Sequence, residues 1–186
     1  MPRLGEIDRA RMSEEQRRVA EQIASGPRGG LAGPFWPWLR SPDLAERAQK
    51  LGELVRFNST LPPRLFELAV LVTAQHWKAQ FEWYAHAPLA RRAGLGDDII
   101  AAIHEGKRPS FAKADEAAVY DFATELYAKT RVGDATYAAA LAHAGEQGMV
   151  ELVGVLGYYA LVSMTLNVFG IEVPKGTAPP FPEPRG

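Results

Sequence analysis

The residues best suited to acid–base chemistry are concentrated between Glu67 and His86, in the run ELAVLVTAQHWKAQFEWYAH. Glu82 and His86 are four positions apart, so on a continuous helix their side chains meet on one face. A carboxylate beside an imidazole orients the ring, supports its protonated form and raises its pKa. Glu67 lies one helix earlier, close enough in sequence for a helix hairpin to bring it alongside. The pattern therefore predicts an acid–base unit built from these three side chains.

A Glu–His pair at this spacing is also common on solvated helix faces, where it has no function. Here the neighbouring residues favour burial, because Phe81, Trp83 and Tyr84 make the helix unusually apolar. A charged group that is buried is costly unless it has a partner or a function. His76 and Trp77 lie where the two helices meet. His76 by itself is more typical of a structural hydrogen-bonding residue than of a catalyst.

The longer run ELAVLVTAQHWKAQFEWYAHAPLARRAGL resembles the carboxymuconolactone decarboxylase superfamily, which includes the alkylhydroperoxidase-D-like proteins. In the peroxidase branch the motif is a Glu, eleven residues, Cys-x-x-Cys, three residues and a His. Glu67 takes the first position of this motif and His86 the last, while Ala79 and Glu82 fall where the two cysteines would be. The resemblance is strongest from about Pro62 to Gly94 and extends more loosely through the apolar segment near the C-terminus, but it does not cover residues 1–40.

The resemblance implies an all-α, alkylhydroperoxidase-D-like helical domain that assembles as a homo-oligomer, a trimer or a hexamer. Dithiol peroxide reduction needs one thiolate to attack and a second thiol to resolve the product, and this chain has no cysteine. The decarboxylase branch is closer, since it works without the dithiol and without a cofactor on a small carboxylated lactone. We therefore interpret the chain as a lyase-type enzyme with His86 as acid–base residue, Glu82 sharing or tuning the proton, and Glu67 orienting the imidazole.

Two other functions remain open from the sequence. The chain could be a non-catalytic family member that keeps only a pocket for a small molecule. It could also be a metalloenzyme, because Glu67, His76, Glu82 and His86 are all possible ligands for Zn, Mn or Fe. Their spacing matches neither the paired Glu-x-x-His of di-iron bundles nor the His-Glu-x-x-His of zinc proteases, so no metal site is predicted.

Further residues are expected to line the same pocket. The long apolar segment near the C-terminus carries Tyr158, Tyr159 and Asn167 and is expected to pack against the motif helices. An Asn in such a context needs a partner, which could be a backbone group, a ligand or a neighbouring subunit. Both tyrosines are more typical of core residues with a tethered hydroxyl than of ligand-binding residues. The predicted substrate-binding set is His76, Trp77, Trp83, Tyr158 and Asn167.

The elements that position these residues are predicted to be helices. Ser13 and Gln16 fit a capping box, which predicts a helix over 14–25. The Gly- and Pro-rich loop that follows, 26–42, is expected to be irregular and to pack its Phe35, Trp36 and Trp38 onto the body or a neighbouring subunit. Later helices are predicted from residues 41 and 63, then over about 79–92, 97–105, 115–130, 134–144 and 146–169. The predicted organisation is an N-terminal helix and loop over 1–40, a helical domain over 41–175 and a Pro-rich, extended tail over 176–186.

The charge and composition of the chain limit the kinds of partner that it can bind. The 186 residues carry 21 Lys and Arg against 22 Asp and Glu, a net charge of -1 that argues against broad binding to nucleic acid or anionic membrane. The segment 149–171 is long enough to span a bilayer, but it contains Glu151 and Asn167 and lacks a flanking basic cluster, which favours a buried core helix. The N-terminus is charged where a signal peptide would be apolar. We therefore predict a cytoplasmic protein whose partners are a small-molecule substrate and its own copies.

Overall fold

The computed structural model describes residues 2–182, which form eight α-helices and no β-strand. The helices are α1 (Glu14–Ser25), α2 (Phe35–Trp38), α3 (Pro42–Phe57), α4 (Pro63–Trp77), α5 (Gln80–Arg92), α6 (Asp97–His104), α7 (Ala114–Lys129) and α8 (Asp134–Phe169). The predicted all-α fold is confirmed, and the predicted helices begin and end within about two residues of the observed ones.

Helix α4 is the centre of the domain. It begins at Pro63, whose ring favours the first turn of a helix, and every residue from Leu65 to Ala74 is buried. A helix that is apolar on all sides must be surrounded, and α4 packs against α5, α6, α7 and α8. Glu67 is an ionisable residue in this buried stretch, so its carboxylate needs a partner inside the protein.

A tight helix hairpin joins α4 to α5. Lys78 ends α4 in the left-handed conformation with φ 50°, and the Ala79 amide donates to the carbonyl of Ala74 at 2.9 Å. Helix α5 begins at the next residue, Gln80. Because the turn is short, α5 folds back along α4, and its inward face meets the middle of that helix.

Helix α8 contains two helical segments that meet at Gly145, where φ 68° and ψ 174° are far from helical values. A residue with a side chain would be strained at that φ, so glycine fits the bend. This agrees with the two separate helices predicted on either side of it. The second segment packs on α3, α4, α5 and α7. In the described part of the chain, α8 alone is long and apolar enough to cross a membrane, and these contacts are consistent with the core helix of a soluble protein.

The aromatic loop between α1 and α3 differs from its predicted irregular structure, because Phe35–Trp38 forms the short helix α2. Phe35 and Trp38 are buried in this subunit's own core, and the Trp38 indole nitrogen donates to Thr165 Oγ1 at 3.0 Å. These contacts bind the loop to its own body.

The C-terminal tail packs back onto the domain. Phe181 is buried, and the side chain of Gln80 bonds to both the amide and the carbonyl of Phe181. His104 stacks on the Phe181 ring, with centroids 5.1 Å apart, so this histidine belongs to the tail contact. The remainder of the predicted tail, 183–186, lies outside the described residues.

Candidate functional site

Glu67, Glu82 and His86 form one buried cluster between α4 and α5. His86 Nδ1 lies 2.7 Å from Glu67 Oε2, and His86 Nε2 lies 3.0 Å from Glu82 Oε1. Both ring nitrogens therefore face a carboxylate oxygen. Since an ionised carboxylate only accepts hydrogen bonds, the ring satisfies both contacts by donating from both nitrogens, which is the imidazolium form.

The cluster is almost wholly shielded from water. The exposed fractions are 7% for Glu67, 4% for Glu82 and 3% for His86. Burial on its own would lower the pKa of His86, but the charge of Glu82 and the hydrogen bonds to both glutamates outweigh it and raise the pKa to about 9. His86 is thus a proton donor in the neutral range.

Aromatic rings hold the imidazole in place. The Tyr159 ring meets the His86 ring edge-on, with centroids 5.1 Å apart, and Phe66 packs against both. The Tyr159 hydroxyl is buried and has no hydrogen-bond partner within residues 2–182. Its burial raises the pKa of Tyr159 well above the ordinary value, so the hydroxyl remains a proton-bearing donor. An unpaired buried hydroxyl beside a cavity is available to a ligand.

A cavity of about 180 Å³ opens beside this cluster. Helix α5 contributes Glu82 and His86 to its lining, and α8 contributes Tyr158 and Tyr159. Glu67 lies behind the imidazole and does not line the cavity. The two glutamates therefore differ in their surroundings. Glu82 contacts both the ring and the cavity, whereas Glu67 contacts the ring and does not reach the cavity.

Two arginines complete the cavity wall. Arg28 comes from the loop between α1 and α2, and Arg56 from α3. Burial raises the pKa of Tyr158 to about 12, while the charges of Arg28 and Arg56 oppose this shift and that of Glu82 adds to it. The Tyr158 hydroxyl therefore lies near two guanidinium groups and a carboxylate, so these three charges are grouped around one end of the cavity.

The structure assigns three of the predicted substrate-binding residues to other places. Trp77 and Asn167 line a separate cavity near residues 170–179, where the Asn167 amide donates to the Trp77 carbonyl at 2.7 Å. His76 stacks on Tyr127, with ring centroids 4.5 Å apart, beside a third cavity. The reason is helix geometry: Trp77 lies ten residues beyond Glu67, about 15 Å along the axis of α4.

Trp83 is a further correction. It follows Glu82 directly, and consecutive residues point about 100° apart around a helix. Its ring contacts His104 and Phe181, with centroids 5.1 and 5.3 Å away, on the side of α5 turned away from the cavity. Of the predicted substrate-binding set, Tyr158 lines the cavity beside Glu82 and His86.

Arg28, Arg56 and the unpaired hydroxyl of Tyr159 were not predicted from the sequence. Arg28 lies in a loop whose Gly and Pro content carries no periodic signal, and Arg56 ends a helix in a region of ordinary surface charge. The pattern of the sequence gives no indication that these residues approach α5. Tyr159 was open between a pocket residue and a core residue, but nothing in the sequence indicated that its hydroxyl lacks a partner.

Metal binding by the four possible ligands would require their side chains to lie close together. His76, one of the four possible ligands, lines a different cavity and is not part of the Glu67–His86–Glu82 cluster. Both His86 nitrogens already contact carboxylates, and within residues 2–182 no group of three or more His, Asp or Glu side chains is arranged to hold a metal ion.

Comparison with known proteins supports the fold. Residues 42–125 match the carboxymuconolactone decarboxylase family. The apo structure of the debrominase Bmp8 has the same fold, with a TM-score of 0.70 and 14% identity over 92% of each chain. A cysteine-to-alanine variant of Bmp8 in complex with 2,3,4-tribromopyrrole gives a TM-score of 0.69 and 15% identity over 92% of this chain and 91% of that one. No curated protein matches significantly.

The fold and the buried Glu–His–Glu cluster define an all-α protein of the alkylhydroperoxidase-D-like fold class. The helical region 42–125, which includes the residues from Glu67 to His86, matches the family that the sequence resembles. The chain itself contains no cysteine.

Proposed function

We propose that the protein is a cofactor-independent lyase of the decarboxylase type, acting on a small carboxylated or lactone-type metabolite by Glu/His acid–base chemistry. The observation that carries this proposal is the buried contact of His86 with both Glu67 and Glu82 at the wall of a cavity. Perturbed, buried ionisable groups at a cavity are typical of acid–base sites.

Each member of the cluster has a separate part in the proposal. Glu67 holds Nδ1 and fixes the plane of the imidazole, so it is a positioning residue. His86 carries the proton that is to be donated. Glu82 lies between Nε2 and the cavity, where it receives a proton from the ring or from the ligand and passes it on.

The reaction balances without a cofactor. The bond between a carbon and its carboxylate breaks, carbon dioxide leaves, and the electron pair passes into a conjugated lactone carbonyl as an enolate. A proton from His86, delivered directly or through Glu82, then forms a carbon–hydrogen bond. The cluster regains its proton from solvent after the product leaves.

The size of the cavity supports a small ligand. About 180 Å³ accommodates a single ring with short substituents. The Bmp8 complex with 2,3,4-tribromopyrrole indicates that this fold accepts a small cyclic molecule. Chemistry at a cysteine cannot be carried over to this chain, because Glu82 and Ala79 stand at the cysteine positions of the peroxidase motif.

The experiment is a turnover assay on a panel of small carboxylated γ-lactones in heavy water, followed by NMR. The proposal predicts loss of carbon dioxide and one deuterium at the carbon that carried it. His86→Gln should lower the rate roughly 10²–10⁴-fold. His143→Gln is the matched control, because His143 is exposed and outside the cavity. If ligands from the panel bind without any turnover, the protein is a binding member of the family and the lyase proposal is wrong.

A further inference from the structure

Arg28 is half-buried, and within residues 2–182 no carboxylate pairs with its charge, although the Tyr158 hydroxyl lies beside it. Its Nε and Nη2 atoms are shielded from solvent and have no hydrogen-bond partner within residues 2–182. The guanidinium lies between two phenyl rings, with Cζ 5.0 Å from the Phe35 centroid and 5.7 Å from the Phe57 centroid. These rings fix its position by cation–π contact but cannot accept its hydrogen bonds in the plane of the group.

Another partly buried arginine shows how this protein pairs such a charge when its role is structural. Arg64 bonds to Asp115 and Glu116, which ties the start of α4 to the start of α7. Arg64 therefore has the two carboxylates that Arg28 lacks. Because an unpaired buried donor is costly, the open donors of Arg28 point to an external partner.

The environment of Arg28 favours an anion. Arg56 lines the same cavity, and its Cζ lies 5.1 Å from the same Phe57 ring, so the two guanidinium groups flank one aromatic side chain. Tyr159 adds an unpaired hydroxyl to the cavity. Guanidinium groups bind carboxylates by paired, charge-assisted hydrogen bonds.

We propose that Arg28 and Arg56 form an anion subsite that binds a carboxylate of the ligand which is not consumed in the reaction. This inference rests on the proposed function, since it concerns the same cavity. Pairing with guanidinium groups stabilises a carboxylate and opposes its loss as carbon dioxide. The reacting group must therefore face Glu82 and His86 while the retained carboxylate is held by the arginines.

Gly52 is the residue that makes this arrangement possible. A Cβ atom at this position would collide with the Tyr158 hydroxyl and with Arg28 Nη2. Tyr158 is a buried, rigid side chain, so it cannot move aside easily. The subsite thus depends on a glycine in α3 as well as on the two charges.

The subsite draws on two parts of the chain. Arg28 precedes the region 42–125 that matches the family, whereas Arg56, Glu82 and His86 lie within it. The N-terminal loop therefore adds a specificity-determining residue to the family's helical core.

The test measures equilibrium binding and does not depend on turnover. The probes are tetrahydro-5-oxofuran-2-carboxylate and benzoate, each compared with its neutral carboxamide, at pH 7 and low salt by NMR titration. Wild-type protein should bind each carboxylate about 10- to 100-fold more tightly than its amide. Arg28→Met and Arg56→Met should each reduce that preference, and the double variant should remove it. Gly52→Ala should weaken carboxylate binding without any change of charge.

Arg47→Met is the matched control, because Arg47 lies on α3 outside the cavity and pairs with Asp43 on the surface. It should bind both carboxylates as the wild type does. Melting temperatures establish that each variant is folded. Arg28→Met keeps an apolar stem against the two phenyl rings and should melt within a few degrees of the wild type.

The outcomes separate this proposal from the proposed function. Glu82→Gln should lose turnover yet bind the carboxylates at least as tightly, because a negative charge near the ligand has been removed. Equal affinity for acid and amide in the wild type, no carboxylate binding at 20 mM, or an unchanged preference in the double arginine variant would each overturn the subsite. If Arg28 only balances the charge of the glutamates, Arg28→Met shifts the His86 titration and leaves the acid–amide preference unchanged.

Discussion

The Glu67 carboxylate and the His86 imidazole meet at 2.7 Å across the α4–α5 hairpin, although they are 19 residues apart in the chain. The contact is buried, and it links the central helix to the helix that lines the cavity. Since Glu82 occupies the other ring nitrogen, the histidine cannot rotate without breaking a charge-assisted contact. The geometry of the site and the stability of the hairpin therefore depend on the same three side chains.

The stability of the protein should fall as the pH rises above neutrality. The pKa of His86 is raised to about 9 from its ordinary value of 6.5, so below about pH 6.5 the folded and unfolded states are both protonated and the stabilisation is complete. As the pH rises through 9 the folded state loses this proton and the stabilisation, on the order of 3 kcal/mol, is lost. Urea unfolding at pH 6, 7.5 and 9.5 measures the trend, and NMR of the His86 ring should show it protonated at pH 8. A ring titrating near 6.5 would contradict this.

Two of the buried glutamates, Glu82 and Glu116, should respond in opposite ways to amide substitution. Glu116 pairs with Arg64 away from the cavity, so Glu116→Gln should reduce stability by about 1–3 kcal/mol and leave turnover within about twofold. Glu82→Gln should lower turnover by at least about 10²-fold while ligand binding is retained. Denaturant unfolding together with steady-state kinetics on both variants measures the contrast. Equal kinetic effects would mean that Glu82 acts through general stability.

The protein should form a homo-oligomer, a trimer or a hexamer. The reason differs from the sequence-based one, because Phe35 and Trp38 are buried within their own subunit. Exposed apolar side chains lie instead on α3, at Leu44, Leu51, Leu54 and Phe57, and along one stripe of α8, at Val150, Val153, Met164 and Val168. Continuous apolar stripes of this kind are typical of helix–helix interfaces. Light scattering should give a multiple of the subunit mass, and Val153→Lys should reduce it. A stable wild-type monomer at micromolar concentration would contradict the prediction.

Thiol-dependent peroxidase activity should be absent. A dithiol mechanism needs two cysteines, and the chain has none. A coupled assay with an alkyl hydroperoxide and a dithiol should show no turnover above that of boiled protein. Turnover that disappears in Glu82→Gln would refute this expectation.

The sequence predicted the helices and the central cluster because both depend on local spacing. Glu82 and His86 share a helix face by periodicity, and the short turn at Lys78 forces Glu67 alongside them. The family motif indicated the same three positions independently. Local patterns of this kind also located the bend at Gly145.

The cavity lining was harder to predict because it depends on contacts between distant segments. Arg28 reaches the cavity from an irregular loop. The two rings that it contacts, Phe35 and Phe57, belong to different helices, so no sequence periodicity links them to Arg28. Trp77 and Trp83 are near the cluster in sequence but face other directions. Proximity along a chain is a poor guide to the walls of a cavity between helices.

The central claim is that His86 and Glu82 move a proton to the ligand, and the pH dependence of turnover tests it most directly. Because His86 must be protonated to donate, kcat should be flat through neutral pH and fall above about pH 9, the raised pKa of its imidazole. His86→Gln should be slower by roughly 10²–10⁴-fold and should lack this alkaline limb. A His86→Gln protein that incorporates deuterium at the wild-type rate, with the same pH profile, would contradict the account.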